Sequence, residues 1–487
     1  MTLADPRPAA HELEKALATG PNGDEVNSKV PFHMNDSVHV PAERYYSRKF
    51  YELEKEKLWP HVWQMAAREE EIPEPKDFVE YEIAGQSILI VRQEDGSVKA
   101  FHNACRHRAT QLASGAGRFP GGQIVCPFHG WRWKTDGQCS HIFGREGFSD
   151  DVLRPDDLAL SECLVDTWGG HVWINMDRTA PPLLEALFPA AQILNGVGVE
   201  NMRVKWWKEA IINCNWKLAQ EAFFEGWHLK QTHPQLYTFD QDDSDETDLA
   251  AFEYTAFANG HGRFQSGDAK ESYGGRPGLE VEAAVDQSDF IEFHRVLQSG
   301  QDAMALERDI HVFEGLATEL DPKEPEFAAK AIQALFRYWE GAGIANPVSD
   351  PAAMRLWGGD IFLFPNYLML PMYANSLNYR VRPYNDDPEW CRFEVWSVTT
   401  YPAGQEPERA ELAGRFDLDD AEHWGLIPRQ DFDNLERMQR GIKSRSISET
   451  RLSELWEQTI SNMHQELDRR LAADYGTRPA GRRPGEE

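Results

Sequence analysis

The chain has 487 residues, 41% of them hydrophobic, with 16 tryptophans and 25 phenylalanines, enough to fill the cores of two domains. A formal charge of −30 excludes a nucleic-acid binder built on a basic surface. Six cysteines in this length do not make a disulfide framework, and no apolar run approaches a membrane span.

The opening "MTLADPRPAAHELEK" lacks the apolar core of a signal peptide, so the cytoplasm is the expected compartment. Residues 1–35 are polar without a period and predict a flexible arm. Within 36–60, Tyr46, Phe50, Leu53 and Leu58 recur near helical spacing in "ERYYSRKFYELEKEKLWPHVW", predicting a helix that packs on the larger domain. From 61 to 178 the signal is β: "FVEYEIAG", "SILIVRQ", "VKAFHNA", "QIVCPFH" and "HVWINM" are short and separated by turn residues. A small antiparallel domain follows from that pattern. From 179 to 475 helices and sheet mix. "NWKLAQEAFFEGWHLKQTH" reads as a helix, and about 287–341 reads as a helical insertion. "DIFLFPNYLMLPM", "SLNYRVRPY" and "RFEVWSVTTYP" read as sheet, and "ISETRLSELWEQTISNMHQELDRRLAADY" as a last amphipathic helix. The tail 476–487 is expected to be disordered. The fold class is therefore α+β. The acidic run Asp240–Asp248 reads as a solvated loop, because it lacks the glycine turn of a calcium loop.

Two constellations carry chemistry. Cys105 and His107 stand one residue apart, and Cys126 and His129 two apart. The bland reading is a structural Cys₂His₂ zinc site. The sharper one is a [2Fe–2S] cluster with two thiolates on one iron and two imidazoles on the other. Mixed pairs favour the cluster, since each loop then gives one ligand to each iron. The second constellation is His228 and His233, five apart beside Glu225, with Pro234 disfavouring helix at His233. Alone, these read equally well as structural histidines or as metal ligands.

The C-x-H…C-x-x-H pattern with Gly130-Trp131, flanked by "AFHNACRHRA" and "WRWKTDGQ", resembles the Rieske signature. Eighteen residues between His107 and Cys126 make the loop longer than is usual there, at little cost in chain entropy. "NWKLAQEAFFEGWH…THP" resembles the catalytic-iron segment of Rieske non-haem iron oxygenases, the ring-hydroxylating α-subunit family. Ala222 and Trp227 depart from its usual asparagine and tyrosine. The resemblance implies a Rieske domain followed by a catalytic domain of helix-grip type, with an antiparallel sheet covered by helices. It implies a Rieske [2Fe–2S] cluster on Cys105, His107, Cys126 and His129. It also implies a mononuclear Fe(II) on His228, His233 and a late aspartate. "RQDFDNLERMQRG" offers Asp431, preferred over Asp433 because Asn434 and Glu436 then fall at the family's offsets. The bland alternative is that these acids favour a helix N-terminus. Glu225 takes the place of the carboxylate that links a cluster histidine of one subunit to an iron histidine of the next.

The implied activity is that of a terminal oxygenase using O₂ to cis-dihydroxylate a hydrophobic, aromatic substrate. Monooxygenation or oxidative demethylation is the alternative, since both use the same ligands. A Rieske ferredoxin-type carrier needs only the β domain, and a zinc-stabilised binding protein needs no iron. Without a dinucleotide fingerprint in the chain, an NAD(P)H-dependent reductase is the expected partner, with or without a ferredoxin. The expected assembly is a homotrimer or an α₃β₃ complex with a small β subunit, and neither nucleic acid nor membrane is an expected partner.

Overall fold

The computed structural model describes Leu17 and residues 29–237, 252–266, 287–321, 324, 326–345 and 359–475. The acidic run Asp240–Asp248 and the tail 476–487 lie outside these, as does the expected arm up to residue 28 apart from Leu17. Residues 29–35 of the expected arm instead join the fold. Val30 and Met34 are buried in the main core, and the Met34 N–H donates to Asp468 (3.0 Å).

Seven short strands build the first sheet. Its spatial order is Gln64–Arg68, His171–Asn175, Glu162–Trp168, Val98–His102, Gln86–Arg92, Asp77–Ile83 and Ala116–Arg118. Each adjacent pair is antiparallel. A second, three-stranded sheet comprises Gln123–Val125, Arg132–Lys134 and Cys139–His141. Between them lies an apolar cluster centred on Phe101, Ile124, Trp131 and Trp133. The hydrophobic burial of these rings holds the two Cys/His loops together at one end.

The larger sheet has eight strands. They run Phe252–Ala256, Gly262–Ser266, Asp360–Leu363, Tyr367–Met372, Asn375–Tyr384, Asp387–Thr400, Met202–Ile212 and Gly414–Arg415. All neighbours are antiparallel except the last pair. One face packs on Trp216–Glu221, Leu426–Gly441 and Gln458–Ala472. The other packs on Ala190–Val197 and neighbours. Gln458–Ala472 is buried along most of its length, and its Asp468 pairs with Arg44 (2.6 Å), both side chains fully buried.

The predicted helix over "ERYYSRKFYELEKEKLWPHVW" is shorter than its periodicity. A 3₁₀ turn, Ala42–Tyr45, precedes a helix at Arg48–Lys57, which Ser47 caps by accepting from the Phe50 N–H. The insertion folds as three helices, Gln287–Gln301, Glu307–Ala317 and Phe327–Ala342, around Phe290, Phe313, Leu335 and Trp339. Gln287–Gln301 packs against Leu426–Gly441. At Gly425 an added Cβ would stand 1.9 Å from the Gly300 carbonyl, so only glycine lets the two backbones touch there.

Candidate metal centres

The cluster loops are two tight turns. In the first, Cys105 N–H donates to Thr110 O (2.8 Å) and Ala109 N–H to Cys105 O (2.9 Å). In the second, Cys126 N–H donates to Trp131 O (2.8 Å) and Gly130 N–H to Cys126 O (3.0 Å). Gly130 sits at φ +71°, which glycine adopts without strain. The turns bring Cys105 and Cys126 into thiol–thiol contact, and set the His107 and His129 rings 4.8 Å apart. Trp131 stacks on His107 at 4.9 Å and 10°.

Like therefore sits with like, although each loop mixes the two residue types. Among the described residues, only His228, His233 and Asp431 bring three candidate ligand atoms within 4.8 Å of one another. The Cys/His quartet does not converge on one point, as a tetrahedral zinc site requires. Two separated pairs fit a binuclear cluster. His129 Nδ1 is buried with no hydrogen-bond partner in the protein, which suits an atom reserved for a metal. Burial, then the charges of His129 and Arg108, lower the His107 pKa, which favours the neutral ring that a metal needs. Burial raises the Cys126 thiol, but N–H groups of Phe128 and His129 outweigh it and the net shift is downward.

The second centre is assembled from distant segments. Asn215 caps Trp216–Glu221 by accepting from the Lys217 N–H. That helix stops at Glu221, so the single predicted helix is two, resuming at Leu229–Thr232. Glu225 explains the interruption. Its Oε2 accepts the backbone N–H groups of Trp227 and His228, a side-chain cap that competes with helical bonding. Its Oε1 lies 2.8 Å from His228 Nδ1. An ionised carboxylate only accepts, so Nδ1 carries the proton and Nε2 is left for a ligand. His233 leaves helical geometry at φ −122°, ψ 58°, as Pro234 demands. Its Nδ1 faces Gln430 Oε1 at 2.9 Å, and Gln235 bonds both ends of that amide, fixing its orientation.

Asp431 lies on the buried face of Leu426–Gly441 with Ile427, Phe432 and Leu435. Its Oδ1 is 3.0 Å from His233 Nε2 and 3.9 Å from His228 Nε2. Asp433 is on the opposite, exposed face, paired with Arg437 at 2.6 Å. Burial opposes charge on His228, but the Glu225 hydrogen bond and the charges of Glu225 and Asp431 outweigh it and raise its pKa. The site therefore draws a cation, and a divalent metal competes with the proton for Nε2.

Two family models match the chain. Residues 62–147 match the Rieske [2Fe-2S] domain, and residues 199–473 match the catalytic domain of the ring hydroxylating alpha subunit. The chain belongs to the ring-hydroxylating alpha-subunit family. Its two domains imply a Rieske cluster and a mononuclear iron.

Among family members, the carnitine monooxygenase oxygenase subunit of Escherichia coli (strain K12) is 31% identical over 198 residues, 40% of this chain and 52% of that protein. The glycine betaine monooxygenase oxygenase subunit of Pseudomonas aeruginosa (strain UCBPP-PA14) is 28% identical over 201 residues, 41% of this chain and 46% of that protein. The chain spans about half the length of the curated relatives it matches. A solved quaternary ammonium Rieske monooxygenase, CntA with L-carnitine, shares the fold at TM-score 0.58 and 18% identity, over 92% of this chain and 97% of that one. Naphthalene 1,2-dioxygenase shares it at TM-score 0.65 and 17% identity, over 91% and 95%.

Sequence reasoning missed Gln430, Gln235 and Tyr254, whose hydroxyl accepts the Gly226 N–H (3.0 Å). No local motif marks them. Among the described residues no helix is long and apolar enough to cross a membrane.

Proposed function

We propose that this chain is the terminal component of a multicomponent system, monooxygenating a quaternary ammonium compound. The observation that carries the iron chemistry is the convergence of His228, His233 and Asp431. The carnitine and glycine betaine relatives support the substrate class and favour monooxygenation over cis-dihydroxylation of an arene.

In this reading His228 Nε2, His233 Nε2 and Asp431 Oδ1 would hold the mononuclear iron, and Cys105, His107, Cys126 and His129 would hold the cluster. Bound by two histidines and one carboxylate, the iron would supply oxygen activation. The rest is done by the chain. Glu225 and Gln430 fix the tautomer and tilt of the two imidazoles. Phe223, Tyr379 and Phe393 pack in tilted contact with one another and reach Asp431 through Phe432, and keep bulk water from that side.

Electrons come from an NAD(P)H-dependent reductase, directly or through a ferredoxin. Glu225 is placed to serve the family's subunit-to-subunit link, since it already holds His228. A head-to-tail homotrimer is the assembly that would use it. Arg106, Arg108, Arg132 and Lys134 are exposed around the loops, so a donor docking there meets positive charge. The test is product analysis with ¹⁸O₂ and a reductase on carnitine, glycine betaine, choline and naphthalene. One ¹⁸O atom in a product from an ammonium compound supports the proposal. A cis-diol from naphthalene with no ammonium turnover refutes it.

A further inference from the structure

Asp360 opens the strand Asp360–Leu363 of the large sheet. Strand alternation places it on the same face as Phe362, while Ile361 and Leu363 enter the core on the opposite side. Phe362 packs on Phe224 at 4.0 Å, immediately before Glu225. The register partner of Asp360 is Phe264, which stacks on Tyr254 at 5.8 Å. Tyr254 in turn anchors the His228 loop through Gly226. Asp360 therefore shares its sheet face with aromatic rings that lead to the His228 loop.

Tyr379 links it to the metal centre. Through Leu368 it shares the sheet face of Phe362 and Asp360, and it packs on Phe393, which meets Phe432 beside Asp431. Asp360 itself has no hydrogen bond or ion pair among the described residues, and burial alone raises its pKa. It is nevertheless only half-buried, so its carboxyl is open to a small ligand. The bland account is a carboxyl held protonated by an apolar wall. A carboxylate in such a place is costly unless a cation comes to it.

We propose that Asp360 is a specificity-determining residue that receives the cationic head of the substrate, with the aromatic faces of Tyr254, Phe264 and Tyr379 completing the seat. The assignment rests on the quaternary ammonium reading above and deepens it. A quaternary nitrogen has no N–H to donate, so it is held by charge and by ring faces. That explains a lone carboxylate without a donor framework around it. It also disfavours an anionic aromatic substrate, which Asp360 would repel.

The test compares choline with its neutral isostere 3,3-dimethylbutan-1-ol, by calorimetry on the iron-loaded full chain. Wild type should bind choline at least about tenfold tighter than the alcohol. Asp360→Asn should lose at least about tenfold for choline and change the alcohol little, with iron content and visible spectrum unchanged. Asp360→Glu should keep the preference for charge. Equal binding of the two probes by wild type, no binding of choline, or undiminished choline binding by Asp360→Asn overturns the proposal. Ammonium turnover in the ¹⁸O₂ assay together with undiminished binding by Asp360→Asn sinks only this residue's role. A charge preference that depends on Asp360, without any ammonium turnover, sinks only the functional reading.

Discussion

Glu225→Gln is the substitution that separates positioning from mere helix structure. Three donors meet the two carboxylate oxygens: the His228 ring N–H at 2.8 Å, the His228 backbone N–H at 3.0 Å and the Trp227 backbone N–H. Glutamine keeps one acceptor oxygen and turns an NH₂ group toward the other donors. At least one buried donor then loses its partner, since Glu225 is only 8% exposed. The loss of a charged hydrogen bond is about 1.5–3 kcal/mol, in line with the roughly 10–100-fold effect of groups that orient metal ligands. We expect mononuclear iron affinity to fall by about tenfold or more, with the cluster's visible spectrum intact. At saturating iron, single-turnover reoxidation of the cluster should still be slowed if Glu225 also serves the link to a neighbouring subunit. Iron titration followed by stopped-flow absorbance reads both effects. Wild-type iron affinity together with a wild-type reoxidation rate would refute the reasoning.

Asp431→Ala should abolish product and mononuclear iron binding, whereas Asp433→Ala should lose no more than about 0.5 kcal/mol of stability, because its pair with Arg437 is exposed; product yield and iron content per chain check both. Cys126→Ser should eliminate acid-labile sulfide and lower iron from about three to about one per chain, with far-UV circular dichroism unchanged. Glu394 is buried between Arg380 (2.7 Å) and Arg382 (2.8 Å); burial alone would raise it, but the two guanidinium groups hold it down to about 2. Glu394→Gln should therefore cost about 3–5 kcal/mol in denaturant unfolding. In wild type that stabilisation is complete above the ordinary carboxylate range and fades as the pH falls toward 2, which unfolding across an acid series will show.

The cluster was the most legible feature because its four candidate ligands lie within one short stretch of chain, and two turns suffice to place them. Around it, Asp77–Ile83 follows its alternation closely, while Gln86–Arg92 is a short apolar run buried on both faces. The catalytic domain was less legible. Met202–Ile212 and the hairpin Phe252–Ser266 were not anticipated, although "MRVKW" and "FEYTA" alternate apolar and polar residues. The helix across Ala222–His228 failed for a specific reason: the Glu225 carboxylate takes the backbone N–H groups that a continuous helix would have used.

Asp431 shows where local periodicity reaches across the chain. Ile427, Phe432 and Leu435 mark one helix face, and Asp431 falls on it while Asp433 does not. A polar residue on an otherwise apolar face needs a partner, and the helix spacing alone argues for the same aspartate that the family offsets select. Asp360 follows the same logic in a strand, as the one carboxylate on a face shared with Phe362. Its meaning was invisible in sequence because the face acquires its neighbours only through register with Phe264 and contact with the His228 loop. For Asp431 the partners are His228 and His233, which accounts for its burial. For Asp360 the described residues supply none, and a cationic substrate is the partner that would account for it.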